Sequence, residues 1–315
     1  MHAIRNTVAA VATALMVSFV AQPVLAADDE IDITFLICTA AGINFWNPAI
    51  KGAEDAAEML GANLDIQYGD NDPLKLKQIF QTAILNEVEG FALSTCVSGV
   101  YIDEMEEARE AGIGVVVFNT DDPSASDWHV FVGQNLWEGG TIIGRDAIER
   151  IGLKAGDHVM VAAGCLDCYY AQQRYGGIKV AMDEAGISSE LIGSSFVLAE
   201  ATTAQAQYLI GHPETDAVMG VDNPNSSTGA AAVEEAGMDI RTSGFDISEQ
   251  IVANIEAGKM VSSLDQQPYY QGFMTVTMLY HWAKYGIEPS DVNTGNNIID
   301  ASKTEVLKPY IGTYR

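Results

Sequence analysis

Two adjacent aromatics, Phe45 and Trp46, stand in the loop Gly42-Ile43-Asn44-Phe45-Trp46-Asn47-Pro48, just after an apolar run. Large rings side by side on a loop are costly in water unless they meet a ligand or a partner. Stacking on the apolar CH face of a sugar is one such use. A hydrophobic staple for the next helix is the plainer role, but two large rings exceed what a staple needs. The second candidate is Cys165-Leu166-Asp167-Cys168, a spacing that serves as a redox pair, half a zinc site or a small bridge. No histidine lies nearby and no second such pair completes a metal site, so a structural or idle pair is expected. His129, His158, His212 and His281 are scattered with no nucleophile beside them. The chain also lacks a Walker loop, G-x-S-x-G, H-E-x-x-H, and a G-x-G-x-x-G after its first strand. No enzymatic chemistry, metal or cofactor is therefore expected.

These residues sit in a chain with an export signature. Residues 1–26 run from a weakly basic start (His2, Arg5) through an apolar stretch, Val8 to Val20, to Val24-Leu25-Ala26. The apolar run is short for a membrane span, and its end has the small residues of a signal-peptidase site. Cleavage is expected after Ala26, and with no cysteine there, no lipid anchor is expected. The mature protein would be free in a periplasm. The whole chain carries a net charge of −27, with 43 acids against 16 bases, and loss of Arg5 with the leader makes it −28. Such acidity argues against nucleic acid and anionic membranes as partners and speaks to solubility rather than fold.

The 289 residues after Ala26 suffice for one large domain or two ordinary ones. Apolar runs predict strands at Ile31–Cys38, Asn63–Tyr68, Phe91–Thr95 and Gly114–Phe118. Between them lie predicted helices, one N-capped by Asn47 and closed by Gly61, one at Pro73–Val88, and an acidic, solvated one at Tyr101–Ala111. The alternation repeats, with strands at His158–Ala163, Leu191–Leu198, Ala217–Val221, Thr242–Phe245 and Met260–Leu264. The matching helices are Trp137–Ile151, Ala171–Ala185, Thr202–Ile210, Ser226–Ala236, Ile247–Ala257 and Pro268–Tyr285. This βα order predicts an α/β fold of two similar Rossmann-like lobes, each a parallel sheet flanked by helices. The first crossing between them is expected near Gly133-Gln134-Asn135. Open parallel sheets bind ligands at the carboxyl ends of their strands, so functional residues should follow each strand.

The residues in those positions form an ordered series. Asn44-Phe45-Trp46, Lys51-Gly52-Ala53 and Leu60-Gly61 resemble the opening of the ribose- and galactose-binding proteins, a family of type I periplasmic receptors. Val115-Val116-Val117-Phe118-Asn119-Thr120 is similar to their fourth strand. Val132-Gly133-Gln134-Asn135 with Gly139-Gly140 is similar to their first hinge crossing. Val221-Asp222-Asn223, Gly244-Phe245-Asp246 and Leu264-Asp265-Gln266 match three later landmarks. The resemblance covers essentially the whole mature chain.

It implies lobes joined by a multi-crossing hinge, built from residues 27–134 with 268–298, and from 135–267 with 299–315. It also implies that Phe45 and Trp46 floor or sandwich the ligand beside Asn44, and that Asn119 binds a hydroxyl. In the second lobe Gln172 and Arg174 are the matching candidates, and Asp222, Asp246 and Gln266 complete a ring of hydroxyl-binding groups. Buried carboxylates and amides satisfy a polyhydroxyl ligand's donors and acceptors alike. The segment Cys165-Leu166-Asp167-Cys168-Tyr169-Tyr170 departs from the family, and Asp167 and Tyr169 are read there as parts of a reshaped pocket. The ligand class left open is a neutral monosaccharide, a polyol or an amine-bearing compound. Cys38 and Cys96 end neighbouring strands, so a bridge between them is possible, as is one between Cys165 and Cys168. The expected role is a monomeric solute receptor that hands its ligand to the membrane permease of an ABC importer. A sensor feeding a chemoreceptor or kinase is the alternative. A sugar-responsive repressor of the same fold is disfavoured by the leader and by the charge.

Overall fold

The computed structural model describes residues 30–95, 97–122, 124 and 129–315. The predicted leader and Cys96 lie outside the described residues. The first lobe is built on β1 (Ile31–Ile37), β2 (Ala62–Tyr68), β3 (Gly90–Leu93), β4 (Gly114–Phe118) and β5 (Phe131–Gly133). Between them run α1 (Asn47–Leu60), α2 (Pro73–Leu85) and α3 (Ile102–Glu110). The second lobe carries β6 (His158–Ala163), β7 (Ser188–Gly193), β8 (Ala217–Gly220), β9 (Arg241–Phe245) and β10 (Met260–Asp265). Its helices are α4 (Leu136–Ile151), α5 (Tyr169–Glu184), α6 (Leu198–Gly211), α7 (Asn223–Glu235) and α8 (Glu249–Glu256). The chain then returns through α9 (Pro268–Tyr285), β11 (Val292–Asn293), β12 (Asn297–Ile299) and α10 (Thr304–Leu307).

Sheet order is β11-β5-β4-β3-β1-β2 in the first lobe and β12-β10-β9-β8-β6-β7 in the second. Every pairing is parallel except β10 with β12. The chain therefore passes between the sheets three times: after β5, after β10, and between β11 and β12. Central strands such as β4 are buried along their whole length, which is why they read as unbroken β-branched runs rather than alternating ones. Helix starts follow local chemistry: Asp72 accepts from the Leu74 amide, Asn135 from that of Glu138 and Ser248 from that of Ile251. Each such cap is worth about 1 kcal/mol.

Four expectations need correction. Asn47 does not cap α1, because a 3-10 turn at Asn44–Trp46 already leads into the helix and Asn47 is its first residue. The strand predicted to reach Leu198 ends at Gly193, and Phe196, Val197 and Leu198 are exposed at the approach to α6. An apolar run need not be a strand when it lies on a loop beside a cleft. Helix α3 is not solvated all round: Met105 and Ala108 are buried, and Glu104 is buried against Lys77 at 2.7 Å. Finally, Asn297 and Ile298, counted with the first lobe, pair with β10 in the second sheet. The strands β5, β11 and β12 have two or three residues each, too few to show a period.

Each lobe has one helix pair seated backbone to backbone on glycines. A methyl group on Gly52 would lie 2.0 Å from the Tyr269 carbonyl oxygen, and one on Gly272 only 1.9 Å from that of Ala49. The second lobe repeats this between α4 and α5, where Gly140 faces the Arg174 carbonyl and Gly177 that of Trp137, both at 2.1 Å. Neither pair tolerates a side chain without moving apart. Gly272→Val should therefore cost about 3 kcal/mol or more of stability, read as a lower urea midpoint. An unchanged midpoint would show that the α1–α9 contact is loose.

Candidate functional site

The carboxyl ends of both sheets face a common cleft. On the first-lobe side, Phe45 is half-buried and meets Trp46 edge to face at 5.0 Å. Trp46 is only 5% exposed and packs edge-on against Phe118 at 6.1 Å. The two rings, paired in the sequence analysis as a floor for ligand, are thus divided: Phe45 lines the cleft beside exposed Asn44, and Trp46 supports it from the core. Asn119 follows β4 in a left-handed backbone conformation, φ 68°. Its side-chain amide donates to Gln266 Oε1 at 3.2 Å and to Gln271 Oε1 at 2.9 Å.

On the second-lobe side the centre is Arg174, 3% exposed on α5. Its Nη1 donates to the Val221 carbonyl at 2.8 Å and its Nη2 to Gln134 Oε1 at 3.0 Å. The guanidinium lies 4.2 Å from the centre of the Phe245 ring, while Nε is buried without a hydrogen-bond partner among the described residues. Asp222 caps α7: its Oδ1 accepts from the Asn225 amide and side chain, and its Oδ2 from the Gly164 amide and the Tyr170 hydroxyl. Asp246 follows β9 at φ 70°, and its Oδ1 accepts from Gln266 Nε2 at 2.6 Å. Gln266 therefore links Asp246 of the second lobe to Asn119 of the first.

A cavity of about 510 Å³ opens beside this cluster, lined by Asn44, Phe45 and Pro48 on one side and by Leu198, Asn223, Ser227 and Asp246 on the other. That volume is in the range of small-molecule sites. Of the predicted residues, Asn44, Phe45 and Asp246 line the cavity itself. Asn119, Arg174 and Gln266 join Asp246 through hydrogen bonds or charge. Asp167 and Gln172 are exposed, and Gln172 donates to the Leu166 carbonyl, bracing its own loop. Tyr169 is half-buried and reaches toward the first lobe: burial, then the charges of Asp121 and Asp122, raise its pKa. Cys165 and Cys168 form a disulfide in this loop, and Cys38 is also disulfide-bonded.

Sequence reasoning missed Gln134 and Gln271 as site residues. Both are buried amides on hinge-flanking elements, and only their hydrogen bonds reveal them. Exposed Phe196 does not line the cavity; its ring stands over Gly164, close enough that a methyl there would sit 2.7 Å from it.

Burial is the main cause that raises the Asp246 pKa above its usual value of 3.8, opposed by Arg174 and the Gln266 hydrogen bond, with repulsion from Asp222 and Asp265 added. The same burial lowers that of Arg174, opposed by Asp246, Tyr170 and Asp222. A carboxyl whose folded pKa is raised binds its proton more tightly in the native chain. Its contribution to stability is therefore full below the unfolded pKa and falls as pH rises through the folded one. Asp246→Asn keeps an acceptor, tolerates the left-handed backbone and cannot ionise. The variant gives up the attraction of Arg174 as well as the cost of a buried charge, and because burial is the larger of the two it should melt above wild type at neutral pH, with the advantage gone below about pH 4. Melting curves across that range check this, and a variant less stable at neutral pH would reverse the assigned cause.

Residues 33–287 match the periplasmic binding protein domain family. The xylose/arabinose-binding protein XylF of Sulfolobus acidocaldarius is 24% identical over 286 residues, 85% of this chain and 70% of that one. Among solved structures, a carbohydrate transporter from Acidothermus cellulolyticus in complex with myo-inositol superposes with a TM-score of 0.80 at 25% identity, covering 90% of this chain and 99% of the other. A solute-binding protein from Burkholderia graminis in complex with D-arabinose superposes at 0.79 with 21% identity, covering 88% and 98%. With two parallel-dominated lobes, a three-crossing hinge and a family match over most of its length, this chain belongs to the periplasmic binding protein domain family.

Proposed function

We propose that this protein is the solute-binding component of an ABC import system, capturing a monosaccharide or polyol between its lobes and delivering it to a membrane permease. The observation that carries the reading is the chain of polar groups Arg174, Asp246, Gln266 and Asn119, which joins both lobes beside a cavity of about 510 Å³. Carboxylate, guanidinium and amides together offer acceptors and donors, as neighbouring hydroxyls require. The Phe45 face serves the apolar side of a ring. The relatives support the same class, being named for xylose, arabinose or bound myo-inositol.

The lobes are taken as 27–134 with 268–296, and 135–267 with 297–315. Closure about the three crossings would bury the ligand, and bound ligand would shift the open–closed population. The leader ending at Ala26 would deliver the chain to the periplasm, unlipidated and monomeric. The site binds its ligand and does not transform it.

A melting screen of the mature protein, refolded to strip bound solute, tests this against xylose, arabinose, ribose, allose, myo-inositol and small amines. A ligand at a hundred times its Kd should raise Tm by about 5 °C or more, and Asp246→Ala should abolish the rise. A response to an amine alone, or to nothing, would overturn the carbohydrate class.

A further inference from the structure

We propose that residues 308–315 form a strap across the hinge that limits how far the two lobes open. The strap begins firmly in the second lobe. Leu307 is buried among Ile251, Ile255, Met260 and Ile299, and Lys308 pairs with Glu256 at the end of α8 at 2.6 Å. It ends on the first lobe and the hinge. The Tyr314 ring lies 5.1 Å from that of Tyr269 on α9, and the Lys51 ammonium of α1 lies 5.9 Å from its centre. Lys51 in turn pairs with Asp55, which accepts the Tyr269 hydroxyl.

Two features make this a restraint and not a loose end. The first is Arg315, whose Nη1 meets Asp265 Oδ2 at 2.7 Å; the Asp265 side chain is 2% exposed and ends β10 at the second crossing. Peeling Arg315 away would leave a buried carboxylate without its cation, which is strongly unfavourable. The second is internal bracing. The amides of Tyr314 and Arg315 both donate to the Tyr310 carbonyl, the Gly312 amide donates to the Arg315 carbonyl, and the Tyr310 and Tyr314 rings stand 6.1 Å apart. Slack chain would follow any lobe rotation, whereas a braced turn fixed at both ends resists it. Ile311, Gly312 and Arg315 also line the cavity, together with Asn44, Phe45 and Pro48 of the first lobe. Rotation that widens the cleft there must separate the strap from α1 and α9.

The inference rests on the two-lobe reading but not on the identity of the solute, so it is tested without ligand. Small-angle X-ray scattering of the refolded mature protein should give a larger radius of gyration and a longer maximum dimension for Tyr314→Ser than for wild type. Asp265→Asn with Arg315→Gln removes the ion pair without leaving a lone buried charge, and should act in the same direction. Tyr285→Ser, at an exposed tyrosine at the far end of α9 from Tyr269, should match wild type. Native circular dichroism and a cooperative melt identify the folded variants, and Tyr314, 40% exposed, can be replaced without opening the core. Scattering from folded Tyr314→Ser and from the double variant that superposes on wild type would overturn the strap. Silence in the sugar screen would leave this result standing, because no solute enters the measurement.

Discussion

Taking a guanidinium out of water is costly to the extent that its donors and its charge go unmet, and Arg174 is almost wholly buried, with both terminal nitrogens bonded and Nε unpaired among the described residues. Its partners define the centre of the molecule. One is the Val221 carbonyl at the end of β8, another is Gln134 at the first crossing, and a third is the Phe245 ring beneath it. The negative charges of Asp246 and Asp222 offset part of the cost of burying it. Moving Arg174 would unpair Gln134, so the second-lobe site and the hinge are mechanically one object. The Gly140 and Gly177 contacts bring α4 against α5 at the level of Arg174 itself, and close helix packing thereby sets the position of the charge.

Neutral amides form the middle of the hinge, and the Asp265–Arg315 ion pair stands beside them at the second crossing. Gln271 donates to the side chain and carbonyl oxygens of Gln266 and to the Thr294 hydroxyl, which itself donates to the Gln266 carbonyl. The second and third crossings thus share one network through Gln266 and Thr294, and the first meets it where the Thr294 amide donates to the Gly133 carbonyl. Neutral amides can exchange partners at little electrostatic cost, a useful property for the lobe closure proposed above. The backbone is less forgiving: Asn119, Asp246 and Gln267 all take left-handed φ values. Each costs some free energy outside glycine, and such residues cluster where function over-determines the geometry. Here they stand at the ends of β4, β9 and β10, where the side chain must turn from the sheet toward the cleft.

The strand–helix alternation was legible because fully buried parallel strands are unbroken apolar runs and their helices carry caps and stops. It failed where burial departs from that rule. The edge strand β7 is half exposed, so its boundary drifted into the exposed run Phe196-Val197-Leu198. The polar positions Asn119, Asp222, Asp246 and Gln266 were accessible through the landmarks that follow the strands, and Arg174 through the start of the helix after Gly164. Separating Phe45 from Trp46 was not, because two neighbours in a 3-10 turn point in different directions and a pattern of residue types does not record this.

The sequence by itself determined the two βα lobes, the strand ends that face the candidate site, and the excess of acidic residues, since these follow from periodicity, turn chemistry and charge. Only the tertiary structure decided which polar residues share a hydrogen bond across 147 residues of chain, as Asn119 and Gln266 do. It alone decided that Asp167 and Gln172 face solvent, and that the segment after α10 crosses back to α1 and α9. The physical reason is that local preference acts over a few residues, whereas the pairing of buried polar groups is settled only when sheets, helices and crossings exclude water together.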